Sequence, residues 1–204
     1  MSRSQLSLNR LLIKSVWKAA RVSRLILVWL FYKVCEGIYF RQLGWGTKIY
    51  GRLRFGNAAA DIRVGRDCMI GHEVFLSATD TSSVIIGSGC SINNGCHIVS
   101  TAKIEIGDET AIGEFVSIRD QNHTFSDPDK AVREQGFTSA AIKIGRDVWI
   151  GRGVFIGPGV EIGDRCVIGA NSVVVKSIPA HSIAVGAPAR VIGTRGVKKT
   201  ETQG

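Results

Sequence analysis

The stretch Ile144-Gly145-Arg146-Asp147-Val148-Trp149-Ile150-Gly151-Arg152-Gly153-Val154-Phe155-Ile156-Gly157-Pro158-Gly159-Val160-Glu161-Ile162-Gly163-Asp164-Arg165-Cys166-Val167-Ile168-Gly169 places an aliphatic residue followed by glycine at every sixth position. Six is not the period of a helix or a flat strand, whose side chains repeat at about 3.6 and about 2 residues. The same step continues toward both ends of the chain. Aliphatic anchors fall into triplets: Val64, Ile70 and Leu76; Ile86, Ile92 and Ile98; Ile106, Ile112 and Ile118; Ile144, Ile150 and Ile156; Ile162, Ile168 and Val174. Each triplet makes one coil of 18 residues. Four residues after most anchors stands a small or β-branched residue, as at Val74, Ala102, Thr110, Val116, Val148, Val154, Val160 and Ser172.

Such a pattern describes a chain that turns by about 120° after each short strand, so that the anchors point into a triangular prism and successive coils stack about 4.8 Å apart. No coil can bury its apolar face alone. Glycine supplies 24 of the 204 residues and proline only 4, with no collagen period, which points to regular tight turns. The register also accounts for most of the cysteines. Cys68, Cys90, Cys96 and Cys166 each follow an anchor by four residues, where the interior takes a small apolar side chain, so neither a disulfide framework nor a metal cluster is expected of them. Cys35 lies off the repeat.

The 26 basic and 17 acidic residues leave a net charge of +9, unevenly spread. Residues 1–50 hold nine basic residues and one acidic one, a balance of +8, which leaves 17 and 16, a balance of +1, for the rest. A body of mixed sign does not suit a phosphate backbone, so nucleic acid is not an expected partner. The longest uncharged apolar run, Leu25 to Tyr32, is eight residues, too short to cross about 30 Å of hydrocarbon. No secretory-signal pattern precedes the repeats, and the cytoplasm is the expected compartment. Within the basic segment Arg10, Lys14, Lys18, Arg21 and Arg24 share one helical face, while Leu12, Val16, Ala19, Ile26, Leu27 and Leu30 gather on the other. Two readings of this amphipathic helix stay open: a cap packed on the first coil, or an interfacial helix that makes peripheral membrane contact through residues 10–34. Trp17, Trp29, Phe31 and Tyr32 favour the second without deciding it.

Breaks in the register mark where the chain is free to build something other than wall. Four extra residues fall around Thr79 to Ser83 and two around Lys103 to Glu105. The third break is longer. After Ile118-Arg119-Asp120-Gln121-Asn122-His123 comes a polar excursion, residues 124–143, before the register resumes at Ile144. His123, at its base, reads either as a surface histidine beside a loop or as a general base that titrates near neutrality on a rigid corner.

Over residues 60–192 the repeats resemble the hexapeptide-repeat acyltransferases. Four stretches resemble more specifically the bacterial polysaccharide O-acetyltransferases of the colanic acid and lipopolysaccharide type: Asp120-Gln121-Asn122-His123, Ser126-Asp127-Pro128-Asp129, Arg133-Glu134-Gln135-Gly136-Phe137 and Ile144-Gly145-Arg146-Asp147-Val148-Trp149-Ile150-Gly151. The resemblance implies an all-β fold, a left-handed parallel β-helix of hexapeptide repeats with an N-terminal amphipathic helix, assembled as a homotrimer. It implies acetyl-CoA as co-substrate, no metal, and His123 as the catalytic base. Asp120 or a backbone carbonyl would orient the imidazole, and Gly145 or Gly151 would supply a backbone N–H to the oxyanion. Matching positions put Trp149 and Gly151 beside the pantetheine, Ala170 as a backbone hydrogen-bonding partner, and Lys176 and Arg190 near the nucleotide phosphates. The sequence departs from the pattern at Val175, where a hydroxyl residue often stands, and at Gly193, where a basic one does; Arg195 is the nearest substitute. Asn93 and Asn94 are the acceptor-side candidates, and each equally fits a left-handed corner. His72, His97 and His181 read as solvated and lack the paired spacing of the zinc-binding carbonic anhydrases that share this prism.

The expected organisation is a basic helical arm at 1–50, the β-helix at 51–192 with its excursion at 124–143, and a basic polar tail at 193–204. The expected reaction carries an acetyl group from acetyl-CoA to a hydroxyl of a bacterial saccharide, an exopolysaccharide, capsule or lipopolysaccharide unit that a lipid would carry if the helix lies on a membrane. N-acetylation of a nucleotide-linked amino sugar and a non-catalytic β-helix that binds partners are the alternatives.

Overall fold

The structure, a computed structural model, describes residues 3–34, 38–57 and 60–196, with side chains from Lys14 onward except that of Arg21. Cys35, the side chains of Arg10, Leu12 and Arg21, and residues 197–204 of the tail lie outside the described residues. Beyond the N-terminal helix, Arg3–Val34, the chain winds into six stacked coils of three short strands, at 42–55, 61–78, 83–100, 103–119, 142–156 and 161–174. Strands at the same place in successive coils pair in parallel, which makes three faces.

The anchors stack as the six-residue step requires. Val64, Ile86, Ile106, Ile144 and Ile162 pair in sequence on the first face. Ile70, Ile92, Ile112, Ile150 and Ile168 do so on the second, and Leu76, Ile98, Ile118, Ile156 and Val174 on the third. All fifteen are exposed by 3% or less, so the interior is one continuous aliphatic column. Ala102 is the exception among the small residues four places on: it sits half-buried at a corner.

The first coil begins at Gln42, inside the segment 1–50 that the sequence assigns to the arm. Leu43, Ile49 and Phe55 are six apart and stack on Val64, Ile70 and Leu76. Leu43-Gly44 keeps the aliphatic-glycine signature, but Tyr50 follows Ile49 and Phe55 replaces the third anchor, which leaves a single dipeptide with no visible period. At the other end the stack closes with Ser182–Val185, against which Arg190–Thr194 folds back antiparallel, past the boundary expected at 192.

The glycines after the anchors do not serve the turns. From Val64 onward the left-handed corner residue is the third after every anchor of the first two faces, as at Asp67, Glu109, Asp147 and Arg165. The anchor-following glycines instead meet the next coil. A Cβ on Gly65 would lie 2.6 Å from the Gly87 carbonyl carbon, and one on Gly151 2.6 Å from the Ala170 nitrogen. Only hydrogen fits where two backbones stack this closely.

The buried cysteines are core residues with a second use. Cys68, Cys90 and Cys96 direct their thiols to the carbonyls of Gly87, Gly107 and Gly113 at 3.1, 3.2 and 3.0 Å, each in the next coil. Thr47 and Thr110, at equivalent positions, donate their hydroxyls to Gly65 and Gly145 at 2.9 Å. The position thus takes a small side chain that is also a donor. Burial pushes the Cys96 thiol up to about 11, which keeps it protonated.

Among its described side chains, the helix docks on the core through those of its last two turns. Tyr32 is buried in a ring cluster with Tyr39, Phe40 and Phe55, and its hydroxyl accepts from the Leu53 N–H at 3.3 Å. Trp29 meets Trp45 edge-on at 4.9 Å, and the Lys33 ammonium donates to the Leu43 carbonyl at 3.0 Å. The cap reading required Val16, Leu27 and Leu30 to cover the first coil, and all three stay exposed. The side chains that dock lie on the opposite side of the helix.

Candidate active site

The long excursion is a hairpin. Gln121–His123 pairs antiparallel with Phe137–Ser139, which sets Gln121 opposite Ser139, Asn122 opposite Thr138 and His123 opposite Phe137. The chain rejoins the stack at Ile142, paired with Ile104, two residues before the expected return. At the root, the Ala140 N–H donates to the Asp120 carbonyl at 2.9 Å and the Thr101 and Ser139 hydroxyls meet at 2.6 Å. At the tip, the Gln135 amide donates to the Asp127 and Lys130 carbonyls, both at 2.9 Å, and accepts from the Asp127 N–H at 3.0 Å. Asp127 and Gln135 therefore hold the loop's shape.

His123 is exposed on this hairpin, and its ring faces that of Phe137 with centroids 4.2 Å apart. Asp120 does not orient it. That side chain is fully buried, and its carboxylate accepts from the Ser100 hydroxyl at 2.8 Å, the Thr101 N–H at 2.7 Å, the Thr101 hydroxyl at 3.2 Å and the Ala102 N–H at 2.9 Å. All four bonds tie coil 4 to the corner of coil 3. No hydrogen bond joins the His123 imidazole to any described residue, a backbone carbonyl included.

The donor-side candidates lie elsewhere. Trp149 is exposed on the second face, between Ala111 and Val167. The N–H groups of Gly145 and Gly151 donate to Ile162 and Ile168 at 2.8 Å, so both oxyanion candidates are already used by the stack. A different set of donors is free. In several coils the N–H two residues after an anchor bonds to a side-chain oxygen of the next coil: Arg66 to Ser88 at 3.1 Å, His72 to Asn94 at 2.8 Å, Ser88 to Asp108 at 2.7 Å and Arg146 to Asp164 at 2.9 Å. Along the corner between the second and third faces, Asn94, Glu114, Arg152 and Ala170 hold this position in four successive coils, and none of their N–H groups has an acceptor among the described residues. They form a column of outward backbone donors that includes Ala170.

Asn94 uses its amide oxygen on the His72 N–H, the same task that Asp108 and Asp164 perform, and Asn93 donates its amide to the Ile112 carbonyl at 2.9 Å. Beside them Phe115 is exposed with φ +57°, under the Arg152 guanidinium at 5.4 Å. A bulky residue in that backbone region is strained, and the repeat gave a signal for it, since Phe115 stands third after Ile112 where the other coils carry Asp, Glu, Arg, Asn or Gly. Lys176 is exposed and unpaired among the described residues; the Arg190 guanidinium, also exposed, touches only the Ala189 carbonyl at 2.9 Å. Arg195 does not replace a missing phosphate contact, because it binds the Asp147 carbonyl at 2.8 Å and the Asp147 carboxylate at 3.2 Å. His72 and His181 are exposed, whereas His97 is half-buried against Phe75 at 5.4 Å. No group of three or more His, Cys, Asp or Glu side chains among the described residues is placed to hold a metal ion.

Within one chain the structure brings Trp149, Gly151, Ala170, Asn93 and Asn94 to the second face and its corner with the third, and sets His123 on the corner between the third and the first. A solenoid of six-residue repeats is the architecture of the bacterial hexapeptide transferases, and here a histidine-bearing hairpin is let into its wall. The comparisons agree: the bacterial transferase hexapeptide pattern matches residues 141–176, and the hexapeptide repeat of succinyl-transferase matches residues 61–100. WbbJ of Escherichia coli, named for O-acetyl transfer in lipopolysaccharide biosynthesis, is 33% identical over 64% of this chain and 70% of its own. The chain belongs to the hexapeptide-repeat acetyltransferase family. A Mycobacterium tuberculosis protein named as an acetyltransferase is 32% identical over 79% of the chain, which spans about half of that relative, 52%. Among solved structures, a galactoside acetyltransferase in complex with coenzyme A is 29% identical with a TM-score of 0.51, over 76% of this chain and 65% of that one. The N-acyltransferase AntD of Bacillus cereus shares the fold, with a TM-score of 0.67 at 24% identity over 78% of this chain and 86% of that one.

Proposed function

We propose that this protein is an O-acetyltransferase that moves the acetyl group of acetyl-CoA to a hydroxyl of a bacterial saccharide, working as a homotrimer on the cytoplasmic side of the membrane. The observation that carries the reading is the placement of His123, the one histidine that stands off the prism wall, on a hairpin pinned at both root and tip. Its imidazole takes the proton of the acceptor hydroxyl as that oxygen attacks the thioester carbonyl. The C–S bond then breaks and the leaving thiolate receives the proton. A thioester is already activated, so one base and two aligned reactants suffice.

The donor runs along the corner column. Trp149 offers a flat apolar surface to the pantetheine, the free N–H groups of Arg152 and Ala170 offer hydrogen bonds, and Lys176 and Arg190 offer charge to the phosphates. The coenzyme A held by the galactoside acetyltransferase supports this choice of donor. Because His123 and the column occupy different corners, the reaction sets the hairpin of one copy against the column of another; that the assembly is a trimer rests on the resemblance to the hexapeptide-repeat acyltransferases. The saccharide, an exopolysaccharide, capsule or lipopolysaccharide unit, rests on the relation to WbbJ and on the four matching stretches.

Thiol release from acetyl-CoA, measured with hydroxyl-only sugars and with nucleotide-linked amino sugars, tests the proposal. Turnover on the first panel supports it. Turnover on amino sugars alone moves the assignment to N-acetylation. A folded oligomer without turnover on either panel leaves a non-catalytic binding protein.

A further inference from the structure

The described part of the N-terminal helix presents its most apolar side away from the prism. Stepping about 100° per residue, Val16, Ile26, Leu27, Leu30 and Val34 fall within an arc of about 100°, and they are 44% to 84% exposed. Val28, Trp29 and Tyr32, which dock on the prism, lie on the far side of the helix. From Lys14 onward Ser23 is the one polar residue within this arc, and its hydroxyl donates to the Ala20 carbonyl at 3.0 Å, so its polarity is met inside the helix. The apolar surface continues over a cleft bordered by Ile26 and Leu30 to Trp45, itself 73% exposed. On the other side Lys18 and Arg24 line a groove against Tyr50 and His72. No helix among the described residues is long and apolar enough to cross a membrane.

We propose that this helix lies in the surface of an anionic bilayer, with Val16, Leu27 and Val34 among the acyl chains and Trp45 reaching the same surface from the first coil. The depth follows from the geometry: a helix sunk to about its axis puts the opposite row of cations at headgroup level, where each gains from anionic lipid. Charge selects lipid over a second copy as the occupant. A second arm brings another +8 to the same place, whereas an anionic bilayer neutralises it. The inference says where the proposed enzyme sits, but it can be read without turnover.

The test uses the full-length protein and sedimentation with phosphatidylcholine vesicles, with and without phosphatidylglycerol. Binding is expected only to the anionic vesicles and should weaken as salt rises. Lys14→Glu with Lys18→Glu, and separately Val16→Glu with Leu27→Glu, should each weaken partitioning roughly tenfold or more, with helix content and acetyl transfer to a soluble acceptor unchanged. Absence of binding to anionic vesicles at low salt overturns the inference. So does undiminished binding by the Val16 and Leu27 pair, or a smaller soluble oligomer when that pair is introduced, which would show a second copy on the face. Vesicle binding without any acetyl transfer would remove the proposed function and leave this inference standing.

Discussion

Phe137 packs against His123 across the hairpin, with ring centroids 4.2 Å apart and planes tilted by 39°, and no hydrogen bond or second ring contact fixes the imidazole among the described residues. The imidazole is held by packing and by the strand pairing beneath it. His123→Ala should lower kcat by roughly 100-fold or more with the oligomer and donor binding intact. Phe137→Ala keeps the base but frees its ring, so kcat should fall by a smaller factor while KM for acetyl-CoA stays put. Near-normal turnover by His123→Ala would remove it from the chemistry.

Asp120 should report on stability instead. Asp120→Ala strands the Thr101 and Ala102 N–H groups and the Ser100 hydroxyl at a buried corner. Losses of this type cost about 3–5 kcal/mol, or roughly 10 °C in Tm for a chain of this size. Asp120→Asn keeps one acceptor oxygen and should lose less. An orienting partner of His123 would also move the acidic limb of the pH–rate profile in Asp120→Asn, where a general base is lost to protonation; the expected limb is unmoved.

The stacking glycines give a paired comparison. A Cβ on Gly107 would lie 2.6 Å from the Gly145 carbonyl carbon and 2.7 Å from the Arg146 nitrogen, backbone that cannot step aside. Gly136, at the hairpin, has nothing within 4 Å but adopts φ +75°. Gly107→Ala should cost about 1–3 kcal/mol or more through overpacking, and Gly136→Ala about 1 kcal/mol through backbone strain. Thermal melts showing the reverse order would contradict the stacking argument.

The prism was legible because its period is a local property: each anchor names its own position, and fifteen of them stacked as the spacing required. What escaped depends on a neighbouring coil. Gly65 and Gly87 look like turn residues until the backbone beside them is known. Asp120 precedes His123 by three residues, yet its carboxylate turns inward to bind Ser100 and Thr101, which no spacing along the chain reveals. Asn94 reads from the sequence as either an acceptor residue or a left-handed corner, and nothing there shows the His72 N–H that its amide oxygen caps. The amphipathic helix was visible as such, but which of its faces meets the prism rests on Tyr32 and Trp29, residues near its end that the pattern of cations did not single out.

His97 should give the fold a mild acid sensitivity. Its pKa lies below the ordinary value of 6.5, first because burial withdraws solvent and then because Arg119 and Arg54 repel the charged ring. As pH falls through 6.5 the unfolded chain takes up its proton before the folded one, so this contribution is complete above 6.5, is lost on descending toward the lower folded pKa, and is constant below it. His97→Gln should flatten that part of the Tm–pH curve between about pH 7 and pH 5, relative to the unchanged protein. An identical slope in both would show that His97 does not titrate differently on folding.

The helix supplies the last comparison, because its two parts should respond oppositely to truncation. Removing the chain up to Leu27 takes away side chains that, apart from the half-buried Leu25, are exposed wherever they are described, and should leave Tm and soluble-acceptor turnover nearly unchanged. Removing it through Val34 also takes Tyr32, 8% exposed at the centre of the rings of Tyr39, Phe40 and Phe55, and leaves the Leu53 N–H without the Tyr32 hydroxyl. Tyr32→Ala alone should reproduce most of that effect, at about 3–5 kcal/mol for a large buried ring and roughly 2–4 °C in Tm per kcal/mol. Tyr32→Phe keeps the ring and loses only the 3.3 Å bond from Leu53, so it should cost about 1 kcal/mol. Differential scanning calorimetry on the four variants and the unchanged protein separates the cases. If the shorter truncation melts as early as the longer one, the outward half of the helix packs on something that stabilises the prism; equal melting of Tyr32→Ala and the unchanged protein would mean that the docked turns add nothing to the first coil.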